Sequence, residues 1–231
     1  GTDGDFAFND GATTVTTGGG ANDGQTSGVI DGISVTKTGN GTFYMAGANI
    51  YSGATTISAG TIKLGADGTL GTNAAGTTIA SGAALDLNGV SYATAEALSI
   101  AGTGISSGGA ITNTNATGAT FAGLLTLTNT SSIVSTLGAI TLSNTGTISG
   151  ATFALTLGGD GGGSVGSIIG TATGTLTKVD NGTWTLSGLN TYTGLTNVNA
   201  GILKCGNHGG AAPGPLGNVT SGTVVANGAA I

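Results

Sequence analysis

The sequence predicts an all-β fold, a right-handed parallel β-helix, on three observations. Glycine supplies 48 of the 231 residues while charged residues make up 6%. Short stretches alternate Thr with aliphatic residues, and the chain repeats itself at long range. If one coil takes roughly 20 residues, the short end for solenoid repeats, the chain makes roughly 11–12 coils.

The composition narrows the class first. Glycine does not recur at every third position and proline occurs twice, so this is not collagen. Disordered chains are poor in apolar residues and rich in charge. Here the mean hydropathy is +0.31 and 38% of residues are hydrophobic, enough to bury a core. Glu96 is the one glutamate and Met45 the one methionine, so helix formers are scarce. Thr, Val and Ile favour strands instead.

Charge excludes several partners. The net charge is −6, arginine is absent, and the four lysines (Lys37, Lys63, Lys178 and Lys204) are scattered along the chain. Nucleic-acid binding needs clustered cations that displace counterions from phosphate. An anionic membrane surface asks for a similar cluster. Cys205 is alone, so no disulfide forms within the chain. No apolar run approaches the ~18 residues of a membrane-spanning helix. The opening GTDGDFAFNDG lacks the basic and apolar regions of a signal peptide.

Ser34–Gly65 aligns without gaps on Thr175–Gly206 at an offset of 141. Identities include Lys37/Lys178, Asn40/Asn181, Gly47/Gly188, Asn49/Asn190, Tyr51/Tyr192, Thr55/Thr196 and Lys63/Lys204. Thr77–Leu85 then matches Thr223–Ile231 at an offset of 146. The extra residues fall in GNHGGAAPGP, Gly206–Pro215, which reads as a turn insertion. The expected organisation is one β-helix segment over 1–231 of a longer repeat protein that continues beyond both ends. It comprises acidic, Gly-rich coils at 1–33, repeat copy 1 at 34–89, spacer coils at 90–174 and an incomplete copy 2 at 175–231. About seven coils would separate the copies.

Strands follow from period-2 alternation. In Thr183–Ser187, Trp184 and Leu186 point one way and Thr183, Thr185 and Ser187 the other. Thr42–Ala46, Thr196–Asn199 and Ile202–Lys204 show the same alternation. In the middle region Leu124–Thr128, Ala139–Ser143 and Phe153–Leu157 alternate as well. Ala93–Leu98 (ATAEAL) is the one expected helical turn. Self-similar short strands select a solenoid over a sandwich, because one unit buries its apolar row on the next.

The string from Leu176 to Lys204, L-T-K-x-x-x-G-T-W-T-L-S-G-x-N-T-Y-T-G-x-T-x-V-x-A-G-x-L-K, resembles the autotransporter-associated β-strand repeat, also called the passenger-associated transport repeat. Copy 1 is a looser version, with Phe43 for Trp184 and Ile50 for Thr191. The spacer segments Gly108–Thr114 and Gly138–Gly150 look like the coils between such repeats in large passengers. The resemblance implies a rod secreted by the type V route and displayed on the outer surface of a Gram-negative-type bacterium. It implies that the repeat aids export. No C-terminal translocator barrel stands in this sequence.

No catalytic residues, cofactor-binding residues or metal ligands are assigned. Cys205 and His208 are neighbours in sequence, but two ligands do not make a zinc site. Cys205 reads as a stacked core residue and His208 as a loop residue. Asp-Gly pairs at Asp3, Asp10, Asp23 and Asp31 read as turns. No cofactor is expected. Calcium is the one ion with an argument, from GGDGGG (Gly158–Gly163) and from Asp3, Asp5 and Asp10, but calcium takes six to eight oxygens. Tyr51/Tyr192 and Phe43/Trp184 fill corners of the coil, with a carbohydrate platform as the alternative.

The leading expectation is a non-catalytic extracellular rod serving as adhesin stalk or surface fibre. Its partners would be neighbouring copies or flanking repeats end to end, and a host-cell, matrix or glycan surface. A head-to-tail filament subunit is the alternative, and a polysaccharide-active β-helix, which could use paired carboxylates, is disfavoured because the acidic residues lie mostly in Gly/Asn turns and arginine is absent. An ice-binding solenoid needs a flat threonine ladder, and Thr14–Thr17 and Leu125–Thr128 do not recur at one short period.

Overall fold

A computed structural model describes residues 30, 34–206, 214–218 and 221–231, together with the backbone of the strands Thr14–Thr17 and Asn22–Thr26. The strands stack in parallel on three sides of a coil. The first side stacks Thr14–Thr17, Ser34–Lys37, Thr55–Ile57, Thr77–Ile79, Leu98–Gly102, the start of Leu125–Val134, Thr147–Ser149 and Ile168–Gly170.

The second side stacks Asn22–Thr26, Thr42–Met45, Thr61–Leu64, Ala84–Asp86, Ile111–Thr112, the end of Leu125–Val134, Leu155–Gly158, Leu176–Lys178, Thr196–Val198 and Thr223–Val225. The third side carries Ser91–Tyr92, Ala119–Phe121, Ile140–Leu142, Gly163–Val165, Thr183–Leu186 and Ile202–Cys205. Leu125–Val134 runs unbroken round a corner, which joins the first two sides into one 17-stranded sheet beside a 6-stranded one.

The parallel β-helix is therefore observed, and the strands lie where alternation places them. The second side is the deepest, ten strands among the described residues, against eight on the first and six on the third. This is fewer than the 11–12 coils expected. Most coils are longer than that expectation assumes, and their length varies. On the second side the shortest step joins Thr42 to Thr61 and the longest joins Thr196 to Thr223. Nine steps of about 4.8 Å give a stack roughly 43 Å long.

Alternation decides what is inside. Phe43 and Met45, Ile62 and Leu64, and Trp184 and Leu186 are fully buried, and one continuous core runs from Ile30 to Leu203. Stacked neighbours repeat chemistry: Tyr92 lies on Phe121 with ring centroids 5.5 Å apart. Gly163 lies below Trp184, where a methyl group would stand 3.0 Å from the indole.

Ala93–Leu98 does not form a helical turn; it bends between Ser91–Tyr92 and the strand that starts at Leu98. Packing of Glu96 and Leu98 into the core overrides local helix preference there. One 3₁₀ turn, Ile105–Ser107, is present among the described residues.

The two repeat copies fold alike but do not sit alike. Ser34–Lys37 and Thr55–Ile57 lie on the first side, whereas their equivalents Leu176–Lys178 and Thr196–Val198 lie on the second. Thr42–Met45 and Thr61–Leu64 lie on the second side, and Thr183–Leu186 and Ile202–Cys205 on the third. The offset between the copies thus spans six coils and one further side, rather than seven coils.

Candidate functional site

The residues shared by the copies converge on a buried polar device. Lys37 and Lys178 occupy inward positions of their strands and are fully buried. The Lys178 ammonium donates to the carbonyls of Val179 (2.6 Å), Asp180 (2.7 Å) and Ala200 (3.1 Å). Lys37 donates to the equivalent carbonyls of Gly39 and Ala59. Burial pulls the Lys178 ammonium below its ordinary value, and the nearby Asp180 and Asp160 charges oppose that. Ala59 and Ala200 belong to the coil after each lysine.

Asn49 and Asn190 reach in both directions. Asn190 Oδ1 accepts from the Ile169 N–H in the preceding coil (2.7 Å), and its Nδ2 donates to the Pro215 carbonyl in the following one (2.5 Å). Asn49 does the same with Ile30 N–H (2.7 Å) and the Thr69 carbonyl (2.5 Å). Tyr51 and Thr55, and likewise Tyr192 and Thr196, share a hydrogen bond of 2.6 Å between their hydroxyls. Burial, the largest cause, pushes the Tyr192 phenol up to about 12 and Tyr51 higher still, against the lowering effect of each threonine bond. Each copy therefore ties three successive coils together through groups that water does not reach.

The aromatic residues Tyr51, Tyr192, Phe43 and Trp184 are at most 1% exposed, so they form no carbohydrate platform. Trp184 Nε1 donates to the Gly158 carbonyl at 3.1 Å, which satisfies its one polar atom. Cys205 ends its strand half-buried above Leu186, and burial raises its thiol. His208 lies outside the described residues, so the Cys205/His208 pair has no geometry.

The acidic turns do not assemble a cation site among the described residues, where no three His, Cys, Asp or Glu side chains come together. In the GGDGGG segment Asp160 Oδ1 accepts from the backbone and side-chain nitrogens of Asn181, both at 3.3 Å. Asp180 Oδ2 accepts from Gly159 N–H at 2.7 Å. These carboxylates bridge neighbouring coils, each accepting from a residue 21 positions away. Asp3, Asp5, Asp10 and Asp31 lie outside the described residues, as does the side chain of Asp23.

Outward positions form rows of hydroxyls, contrary to the expectation from irregular spacing. On the first side Thr36, Thr56, Thr78, Ser99, Thr126 and Ser149 are successive partners across the strands. On the third side Ser91, Thr120, Thr141, Ser164 and Thr185 are, ending at Lys204. Coil lengths vary, but the corners absorb the difference and keep the register. Sequence spacing alone hides the ladders for that reason.

The family model for the passenger-associated-transport-repeat matches residues 35–64 and 176–204. The chain carries two passenger-associated transport repeats. The matched spans contain the lysines, asparagines, tyrosines and threonines of the buried device in both copies. A 69-residue stretch is 49% identical to the BmaC autotransporter adhesin of Brucella suis biovar 1 (strain 1330), covering 30% of this chain and 2% of the adhesin. The chain thus spans a small fraction of that relative's length. No solved structure matches. No helix among the described residues is long and apolar enough to cross a membrane.

Proposed function

We propose that this chain is a segment of a secreted autotransporter-like passenger on a bacterial surface, working as a non-catalytic rod in an adhesin stalk or surface fibre. One observation carries the reading. The chemistry shared by the repeats is buried: Lys178, Asn190 and their counterparts hold coil to coil, and Tyr192 and Tyr51 bond within their own corners. That is what a rod requires and what an active site does not. The likeness to an autotransporter adhesin supports the surface role.

The outward hydroxyl rows give the rod a face without charge along Thr36–Ser149. That face suits a neutral polyhydroxyl surface such as a glycan better than a polyanion. The test immobilises the purified chain and measures binding to glycan-coated and host-cell surfaces. Binding that falls at least tenfold in a Thr56→Lys/Thr78→Lys/Thr126→Lys triple variant with an unchanged thermal melt supports the reading. Turnover of a polysaccharide by the purified chain would refute the non-catalytic role.

In the alternative reading the chain is a filament subunit, with copies stacked head to tail. Sedimentation velocity across protein concentration separates single rods from polymers.

A further inference from the structure

Two buried carboxyl groups outside the shared repeat residues are treated in opposite ways. Asp86, 3% exposed, is met on both oxygens. Its Oδ1 accepts from the Asn88 and Thr114 N–H groups at 2.9 and 3.1 Å. Its Oδ2 accepts from the Thr114 hydroxyl at 2.6 Å and stands 3.5 Å from the Lys63 ammonium. Glu96, 1% exposed, receives one donor, the Thr77 hydroxyl at 2.7 Å from Oε1. Its Oε2 is buried with no partner.

A carboxylate buried without partners is costly enough that the group takes up a proton instead. We propose that the folded rod carries Glu96 as the neutral acid, which makes the two coils from Thr77 to Leu124 a pH-responsive joint, tight at mildly acidic pH and looser as the pH rises. The surroundings fit. The preceding coils contribute Thr77 and the Tyr51 phenol, and its own coil contributes the Tyr92 phenol. The following coil presses Gly123 against the Glu96 carbonyl, where a methyl group has no room.

Both phenols are neutral in this range, and each feels the Glu96 charge as a further upward push. Asp67 also acts on Tyr92, but it lies at the surface with its own donors, Gly68 N–H (2.9 Å) and Thr94 N–H (3.0 Å). No lysine contributes to holding a charge on Glu96, and burial raises its proton affinity against the Thr77 bond. A carboxyl whose folded value lies above its unfolded value contributes stability fully below the unfolded value, about 4.3 for glutamate. That contribution is lost as pH rises through the folded value.

Glu96 is the one glutamate in the sequence, so δ-13C-labelled glutamate gives a single carboxyl signal from the intact protein. The signal is expected to keep its protonated position well above the ordinary carboxyl range. A titration midpoint near the ordinary ~4.3 would overturn the proposal. Hydrogen exchange of peptides within residues 77–124 supplies the second readout, corrected for the intrinsic pH dependence of exchange. Relative to Glu96→Gln, the opening ratio of the wild-type coils is expected to rise about tenfold per pH unit between the unfolded and folded values. A difference between the two proteins that does not change with pH also overturns it. If Glu96→Gln does not fold, the labelled wild type decides alone.

Discussion

Replacing Lys178 with methionine tests whether the buried lysine holds coils together or merely fills space. Methionine keeps most of the volume and removes the ammonium. Three carbonyls then lose their donor: Val179, Asp180 and Ala200. A buried acceptor left unmet costs about 1–3 kcal/mol. Asp180 is exposed and Val179 half-buried, so their carbonyls regain water and the low end applies to both. The release of a desolvated charge offsets part of the loss. The net expectation is about 3 kcal/mol. At roughly 2–4 °C per kcal/mol for a chain of this size, the melting temperature falls by about 6–12 °C.

Circular dichroism on heating measures that fall, and hydrogen exchange locates it in residues 176–205. Lys37→Met in copy 1 is an internal replicate and is expected to localise its loss to residues 35–64. A change below about 0.5 kcal/mol in both variants would refute the role assigned to the ammonium, because ordinary surface substitutions lie in that range.

Asn190→Ala removes bonds to both neighbouring coils, and a loss of about 2–4 kcal/mol is expected from the two backbone groups it leaves unmet, read from a denaturant midpoint. Gly71 and Gly217 hold φ of +82° and +78°, and an added methyl group would lie 2.6 Å from the carbonyl oxygens of Tyr51 and Tyr192. Alanine at either is expected to cost at least about 2 kcal/mol by thermal melt. Tyr192 has a folded value of about 12, above its ordinary value, so its contribution is complete below about pH 10 and lost as pH rises towards 12. Tyr192→Phe is expected to flatten the alkaline limb of the stability curve, with phenolate absorbance as the check. Inserting four Gly/Ser residues after Asn73, in an exposed corner, is expected to change stability by less than about 1 kcal/mol in urea unfolding.

Much of the fold is legible because its determinants are local. Thr183–Leu186 alternates in the sequence as it alternates in burial, and the pairing of Trp184 with Leu203 and of Leu186 with Cys205 follows from stacking like on like. The coil number is less legible. The corner Gly102–Ala110 adds residues without adding a rung, and nothing in its composition marks it apart from other Gly/Ser turns, whereas the Gly206–Pro215 insertion is legible from the shift in repeat offset. The burial of the lysines is legible from strand parity. Charge count alone places Lys178 on the surface, whereas its parity with Leu176, two positions earlier on the same strand, places it inside. Identity between the copies was the available signal, since Lys37, Asn49 and Tyr51 recur where Ile50 does not. Glu96 gave no such signal; its burial depends on Tyr51, Thr77 and Tyr92 from three successive coils.

The displacement of the second copy by one side explains what the repeat specifies. A motif written for one face of the rod would have to recur after a whole number of coils. Instead, Lys37 stands on the first side and Lys178 on the second, and both reach an alanine carbonyl one coil ahead. Asn49 and Asn190 likewise bind one coil back and one ahead from different sides. Every shared bond of the device runs along the axis or within one corner, and none depends on position around it. Such a motif can be placed wherever three consecutive coils need joining. Solenoid stability is set by contacts between neighbouring units, so a staple of this kind strengthens its own neighbourhood and leaves the spacer free to vary in length and outward chemistry.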